Sequence, residues 1–193
     1  NPNAAISHGI GMIHQHFMLV PTLSVAENVA LGLPSSKGPL TDLEVVSRRV
    51  VELGETYNLK INPSTMIWQL SVGQQQRVEI IKALYRGASL LLLDEPTSGI
   101  DPEGIQVLED IIRTAQKQNR SVILSTHVLE TAGRLCDHIV ILHEGRSCFT
   151  GSVAELRSEL MAPSNATLKD LFLDLVRQRE EAELPSGVQQ KKI

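Results

Sequence analysis

Two adjacent carboxylates, Asp94 and Glu95, follow a run of four leucines that begins at Leu90. Such a run is typical of a buried parallel strand, and open α/β sheets bind ligands at the carboxyl ends of their strands. The strand fixes the first carboxylate, which suits it to hold Mg²⁺. The second carboxylate points elsewhere and suits a base that orients or deprotonates an attacking water. The pair alone equally fits a strand that ends in solvated acids. The tight polar loop that follows, Pro96 to Asp101, favours chemistry.

A second candidate is the start of a predicted helix at Ser71. Ser71 is a suitable N-cap, Gly73 removes a side chain from the first turn, and Gln74 completes a capping box. A helix N-terminus presents free N–H groups and a positive dipole, which together favour an anion. An ordinary capped helix has the same pattern and is the favoured interpretation of this segment by itself. However, glycine in a helix costs about 0.5–1 kcal/mol relative to alanine, and close approach of a phosphate would explain it.

Two further polar side chains end predicted strands. His127 follows the strand 121–124, which is predicted to lie beside the strand of Asp94, so the imidazole is expected near the acids and a terminal phosphate. Gln15 follows a short apolar strand, 10–13, and its amide oxygen suits Mg²⁺ or a water. Each signal is weak when taken alone, because surface residues commonly end strands.

Capping signals and apolar spacing predict the elements that carry these residues. Capping boxes predict helices that begin after Ser24, Thr41, Ser71, Ser152 and Thr167, the last reaching about Arg179. Asp101 and Pro102 predict another helix, and a short one spans 128–135. Strands are predicted over 10–13, 90–93, 121–124 and 139–142, the last ending in a turn at Glu144-Gly145. Alternation of strands and helices predicts an α/β fold whose parallel sheet has right-handed crossovers.

Composition excludes several classes of function. A net charge of −4 and an aromatic content of 3% argue against a nucleic-acid partner. Cys136 and Cys148 form no C-x-x-C pair, so free thiols in a cytosolic protein are expected. No apolar run approaches the roughly 20 residues of a membrane span, and no signal peptide opens the sequence. Any association with a membrane is therefore expected to come through a partner.

Taken together, these segments resemble the nucleotide-binding domain of ABC transporters, a P-loop NTPase fold. In family terms, Gln15 matches the Q-loop, residues 70–77 the signature motif, 90–95 Walker B, 98–101 the D-loop and His127 the switch histidine. The resemblance covers about the first 150 residues. It implies four parts: the end of the nucleotide-binding core with the Q-loop, a helical subdomain ending in the signature helix, an α/β core, and a C-terminal helical extension with its tail. Their expected ranges are 1–20, 21–87, 88–150 and 151–193.

The resemblance implies a subunit that binds and hydrolyses ATP to drive transport. Its expected partners are a transmembrane permease and a second nucleotide-binding domain, identical or not, at the cytoplasmic face of the membrane. Two such domains sandwich two ATP molecules. Asp94 and Gln15 would then serve Mg²⁺, Glu95 would polarise the attacking water, and His127 would contact the γ-phosphate.

The remaining site residues are implied to act across the sandwich. Ser71, Gly73 and Gln74 would bind the γ-phosphate held by the opposite subunit, and Asp101 would link the two sites. The sequence departs from the family pattern in having no G-x-x-x-x-G-K-[ST] loop, which is expected before Asn1. Without that loop, this chain alone is expected neither to bind ATP tightly nor to hydrolyse it. Val72 also replaces the family's usual Gly, and Gly99 its usual Ala. The first change is mild if only Ser71 and Gly73 touch phosphate.

The resemblance leaves the direction of transport open. Residues 9–28 and 71–80 are similar to importers of nucleosides and simple sugars, whereas 98–175 is more similar to drug-efflux exporters. Import is favoured because the helical subdomain contacts the permease. A soluble ABC ATPase acting on ribosomes or DNA is disfavoured by the compact insert and the negative charge. A domain that only docks on a permease is disfavoured by Glu95 and His127.

Overall fold

The computed structural model describes residues 2–33 and 42–183. The chain divides into two compact units, which meet in sequence between His127 and Val128. The predicted loop over 34–39, the predicted cap Thr41 and the end of the chain from 184 lie outside the described residues. The predicted four-part division of the domain stays a prediction.

Three of the predicted strands form a parallel sheet in the first unit. They are β1 (Ile10–Ile13), β2 (Leu90–Asp94) and β3 (Ser121–Ser125), in the order β1-β2-β3. Both strand pairs are in register without a shift, so the carboxyl ends of the three strands lie side by side. Since these ends carry the candidate residues, the sheet gathers them at one edge.

Five α-helices complete the first unit in the described part of the chain. They are α1 (Pro2–Ser7), α2 (Val25–Ala30), α3 (Leu43–Thr56), α4 (Val72–Tyr85) and α5 (Pro102–Lys117), with a 3-10 turn at Ile67–Gln69. The predicted caps Ser24, Ser71 and Asp101 are confirmed. Asp42 caps α3, and α1 was not predicted.

An aliphatic core holds the first unit together. Helices α2, α3 and α4 pack on one another, and α4 also packs on β1. Gly11 of β1 permits that approach, because a Cβ there would lie 2.9 Å from the Cβ atoms of both Ala83 and Ala88. Leu91 and Leu93 alternate into the same core and are fully buried. The strand that carries Asp94 and Glu95 is therefore fixed by packing on at least one face.

The second unit contains α6 (Leu129–Leu135), β4 (Ile139–His143), β5 (Arg146–Gly151), α7 (Val153–Glu159) and α8 (Leu168–Glu183). The capping boxes predicted at Ser152 and Thr167 are present, and α8 extends beyond the predicted end at Arg179. Apolar side chains from both strands, α7 and α8 form its core.

The pairing of β4 differs from the prediction. The sequence places 139–142 in the parallel sheet, but β4 pairs antiparallel with β5, a strand that was not predicted. The cause is the turn: Glu144 and Gly145 both have positive φ, 48° and 75°. Two such residues form the hairpin turn that matches the twist of antiparallel strands, so the chain reverses and pairs with itself.

Among the described residues, none of the helices combines the length and the apolar character needed to cross a bilayer.

Candidate functional site

The turn after β2 aims the carboxylate of Glu95. Glu95 has φ 45°, in the left-handed region that non-glycine residues rarely occupy. Such a conformation costs about 1–3 kcal/mol and persists only where the surroundings hold it. Here the Glu95 N–H donates to the Ser125 carbonyl at 2.8 Å, and the Glu95 carbonyl accepts from the Ser98 N–H at 3.0 Å. The strained turn therefore points Glu95 away from the strand that fixes Asp94.

His127 lies against this carboxylate. The Oε1 atom of Glu95 accepts the His127 N–H at 2.9 Å and lies 2.8 Å from Nδ1 of the ring. Oε2 accepts from the hydroxyl of Thr126 at 3.3 Å. The side chain of Glu95 is 20% exposed and that of His127 82%. Nδ1 of the ring therefore contacts a half-buried carboxylate, and Nε2 faces solvent.

Asp94 and Gln15 lie at the same edge of the sheet. Asp94 is the last residue of β2 and is half-buried, and Gln15 follows β1 by two residues and is exposed. The register of β1 and β2 places their ends side by side. In the described part of the chain, no three His, Cys, Asp or Glu residues form a metal-binding group. One carboxylate and one amide oxygen instead fit Mg²⁺ bound to a nucleotide, since that ion keeps waters and phosphate oxygens as its other ligands.

Side chains anchor the segment that follows Gln15. The Met18 N–H donates to Oε1 of Glu79 at 2.9 Å, and the Met18 carbonyl accepts from Nζ of Lys82 at 3.1 Å. Glu79 and Lys82 also pair with each other at 3.2 Å. The N–H and carbonyl of Val20 are held in the same way by Asn28, at 2.8 and 3.1 Å. These side chains therefore satisfy backbone groups of a segment that belongs to no helix or strand.

The start of α4 has the predicted cap geometry. The Gln74 N–H donates to Oγ of Ser71 at 3.4 Å, and the Ser71 N–H donates to Oε1 of Gln74 at 3.0 Å. A Cβ added to Gly73 would meet only Cγ2 of Ile100, at 3.8 Å, among the described residues. That is an ordinary van der Waals distance, so packing does not require glycine at this position.

Asp101 has a structural role in this chain. It is the N-cap of α5, and its Oδ1 accepts the Gly104 N–H at 2.7 Å. The neighbouring Ile100 lies between two helices, since its Cγ2 would be 2.1 Å from a Cβ on Gly104 and 3.8 Å from one on Gly73. The loop after β2 is therefore packed against the starts of both α4 and α5.

Sequence reasoning missed the buried polar residues that hold these loops. Asn28 and Glu79 are buried, as is Gln76, whose Nε2 donates to the Pro96 carbonyl at 2.6 Å. The sequence does contain a signal for the buried polar residues of α4, because Gln76 and Glu79 are one helical turn apart on a face that also carries Ile80. Polar residues on a buried helix face indicate buried hydrogen bonds, but the pattern does not identify the partners.

Comparison with known proteins finds similar sequences over most of the chain. The family model described as ABC transporter matches residues 2–98. The nucleoside import ATP-binding protein NupA of Lactococcus lactis subsp. cremoris is 41% identical over 162 residues, which are 84% of this chain and 32% of that protein. The glucose import ATP-binding protein TsgD13 of Haloferax volcanii is 39% identical over 81% of this chain and 34% of that protein. The chain spans about a third of the length of these curated relatives.

Solved structures show the same fold. The structure described as the ATP-binding subunit of an ABC transporter superposes with a TM-score of 0.71 at 28% identity. The match covers 91% of this chain and 72% of the chain in that structure. The predicted α/β class with parallel strands is confirmed.

Proposed function

Because the chain belongs to the ABC transporter family, we propose that it supplies the catalytic carboxylate and the signature helix of an ATPase that drives uptake of a nucleoside or simple sugar. The observation that carries the proposal is the contact between Glu95 and His127 at the carboxyl end of β2, 2.8 Å from oxygen to Nδ1. Two polar groups, one of them a half-buried acid, meet at the sheet edge where α/β proteins bind ligands.

Glu95 is suited to orient and deprotonate a water. A carboxylate has about four lone-pair sites, and His127 and Thr126 occupy three of them through two bonds to Oε1 and one to Oε2. Oε2 therefore keeps a site that can accept a proton from water. When the ring of His127 carries both protons, Nδ1–H stays on Glu95 and Nε2–H is a donor for a phosphate oxygen.

The other predicted residues fit supporting roles. Asp94 and Gln15 would hold Mg²⁺ together with phosphate oxygens, and Mg·ATP supplies the phosphoryl group whose transfer to water releases energy. Ser71, Gly73 and Gln74 form a helix tip that would bind the terminal phosphate held by a second nucleotide-binding domain. The open space at Gly73 supports this role, because no described neighbour fills it more closely than 3.8 Å.

The anchored segment after Gln15 supports a permease partner. Met18 has its backbone fixed by Glu79 and Lys82, yet its side chain is 69% exposed. Trp68 is 66% exposed, and its N–H donates to the Pro21 carbonyl near the same segment. Large apolar side chains on a rigid backbone are typical of protein interfaces. We assign this surface to the permease, which would hold the chain at the cytoplasmic face of the membrane.

Import is favoured over export by the relatives. NupA and TsgD13 are named for nucleoside and glucose import. The alignment with NupA spans 162 residues, 84% of the chain, so the similarity to import subunits extends well past the first half. The likeness of residues 98–175 to drug-efflux ATPases therefore does not require an exporter.

The test is a chimaera that restores a P-loop. The chain contains no G-x-x-x-x-G-K-[ST] motif, so a strand, that loop and its helix from an ABC ATPase are joined ahead of Asn1. We expect the P-loop chimaera to hydrolyse ATP only with Mg²⁺, and the chain alone to be inactive. Glu95→Gln should abolish turnover and retain bound ATP. Glu55→Gln, an exposed acid on α3, is the matched control and should keep full activity. Turnover that survives in Glu95→Gln would refute the proposed base.

A further inference from the structure

Gln76 is a buried polar residue with no role in the mechanism above. It is 4% exposed on α4, and its Nε2 donates to the carbonyl of Pro96 at 2.6 Å. Pro96 is itself buried and directly follows Glu95. The bond joins residues 20 positions apart, from the signature helix to the catalytic turn. A buried amide with a single defined partner on another element is a specific contact rather than a solvated side chain.

The bond completes the support of the strained turn. On the side of β2, the Glu95 N–H is held by the Ser125 carbonyl. On the far side, the Glu95 carbonyl accepts a local bond from the Ser98 N–H. Proline has no N–H to donate, so the Pro96 carbonyl is the next backbone group through which another element can hold the turn. Gln76 binds that carbonyl. The left-handed conformation of Glu95 is thus fixed from both ends by hydrogen bonds to neighbouring elements.

We propose that Gln76 is a positioning residue for Glu95. It holds the turn so that the carboxylate stays against His127, and it ties the base of one site to the helix whose tip serves the opposite site. The placement of the carboxylate rests on the geometry alone, whereas its catalytic consequence rests on the function proposed above. The two parts are therefore tested separately.

Gln76→Met is the informative substitution, because methionine has nearly the same length and no donor. The matched control is Arg86→Met. Arg86 follows the other end of α4 and makes a bond of the same kind and length, from a side-chain nitrogen to the Leu31 carbonyl at 2.6 Å. Arg86→Met removes a bond of the same length, made by a less buried guanidinium, that does not reach the turn.

The first experiment uses the 193-residue chain and measures amide hydrogen exchange by NMR. The His127 N–H donates to Oε1 of Glu95, so its exchange rate reports where that carboxylate lies. We expect Gln76→Met to accelerate exchange at His127 by at least tenfold and Arg86→Met by less than twofold, with the Ile80 amide of α4 unchanged in both. Equal rates at His127 in the two variants would overturn the proposal. If Gln76→Met does not fold, hydrogen exchange of the wild-type chain provides the test. The Nε2 protons of Gln76 should then be protected from exchange, and unprotected protons would refute the bond to Pro96.

The second experiment uses the P-loop chimaera. Gln76→Met should lower kcat at least tenfold while the Kd for ATP changes less than twofold, because the turn places the base and not the nucleotide. Arg86→Met should leave both within twofold. Parallel loss of binding, turnover and thermal stability in Gln76→Met would show a merely structural residue and overturn the proposal. A parent chimaera without ATPase activity would instead refute the proposed function, and the exchange data would still decide the role of Gln76 in placing Glu95.

Discussion

Gly73→Ala is expected to stabilise the chain and to lower ATP hydrolysis by the P-loop chimaera at least tenfold. Gly73 is the second residue of α4, in the first turn after the Ser71 cap. Its substitution changes one hydrogen into a methyl group. The methyl group should raise the stability of the fold and weaken phosphate binding at the proposed site. These opposite effects distinguish a glycine needed for a ligand from one needed for packing.

The effect on stability follows from the space around the residue. A Cβ at Gly73 would lie 3.8 Å from Cγ2 of Ile100, which is close to an optimal carbon–carbon distance. Alanine is favoured over glycine by up to about 1 kcal/mol within a helix and by less near its end. The free energy of unfolding should therefore rise by roughly 0.5 kcal/mol, measured by urea denaturation of the 193-residue chain.

Gly104→Ala is the matched control in the same loop. Gly104 also lies in the first turn of a helix and also faces Cγ2 of Ile100, but its Cβ would be 2.1 Å away. It would also approach Oδ1 of the Asp101 cap to 3.1 Å. Overpacking of this kind costs about 1–3 kcal/mol, so this variant should lose stability where Gly73→Ala gains it.

The effect on activity is measured in the P-loop chimaera. A methyl group at the helix tip keeps phosphate oxygens from the backbone N–H groups, and loss of about 1.4 kcal/mol of phosphate binding is a tenfold loss in affinity. We expect ATPase activity to fall at least tenfold in Gly73→Ala. A variant that is stable and fully active would refute the phosphate role, and one destabilised by more than 1 kcal/mol would show that packing requires the glycine.

Three further predictions concern stability and reactivity. Asn28→Ala should lower the free energy of unfolding by about 1–3 kcal/mol in urea denaturation, since it removes a buried amide that bonds the N–H and carbonyl of Val20 and leaves that N–H without its partner. Hydrogen bonds from the backbone and hydroxyl of Ser152 lower the pKa of Glu155; their stabilising effect is present near pH 7 and lost as the pH falls below about 4. Glu155→Gln, which keeps the capping box, should therefore lose less Tm than wild type between pH 6 and pH 3, and equal losses would contradict this. Burial raises the pKa of the Cys136 thiol, so iodoacetamide at pH 8 should alkylate it more slowly in the native chain than in urea, as followed by mass spectrometry.

Local signals explain what the sequence predicts correctly. The caps at Ser24, Ser71 and Ser152 are found as predicted, because a capping box depends only on residues three apart in the chain. The three parallel strands follow from apolar runs bounded by polar residues. The contact between Glu95 and His127 follows from strand order, because neighbouring parallel strands bring their carboxyl ends together.

Pairing between distant elements was not predictable in the same way. The apolar run of β4 is typical of a strand buried on both faces, yet Val140 and Leu142 are 59% and 68% exposed. What decides its partner is the positive φ of Glu144 and Gly145, which apolar spacing does not report. The bond from Gln76 to Pro96 could not be predicted either, since a buried glutamine indicates that it has a partner but not which residue that partner is.

The buried face of α4 joins the two halves of the candidate site. Gln76 holds the carbonyl after Glu95, and Glu79, three residues further along, holds the N–H of Met18 after Gln15. The two side chains are about 4.5 Å apart along the helix axis and lie on one face. Breaking the bond from Gln76 would leave a buried amide unpaired, at a cost of about 1–3 kcal/mol, whereas Glu79 would still pair with Lys82. The segments that follow Glu95 and Gln15 are therefore both tied to one face of α4, the helix that begins at the Ser71 cap.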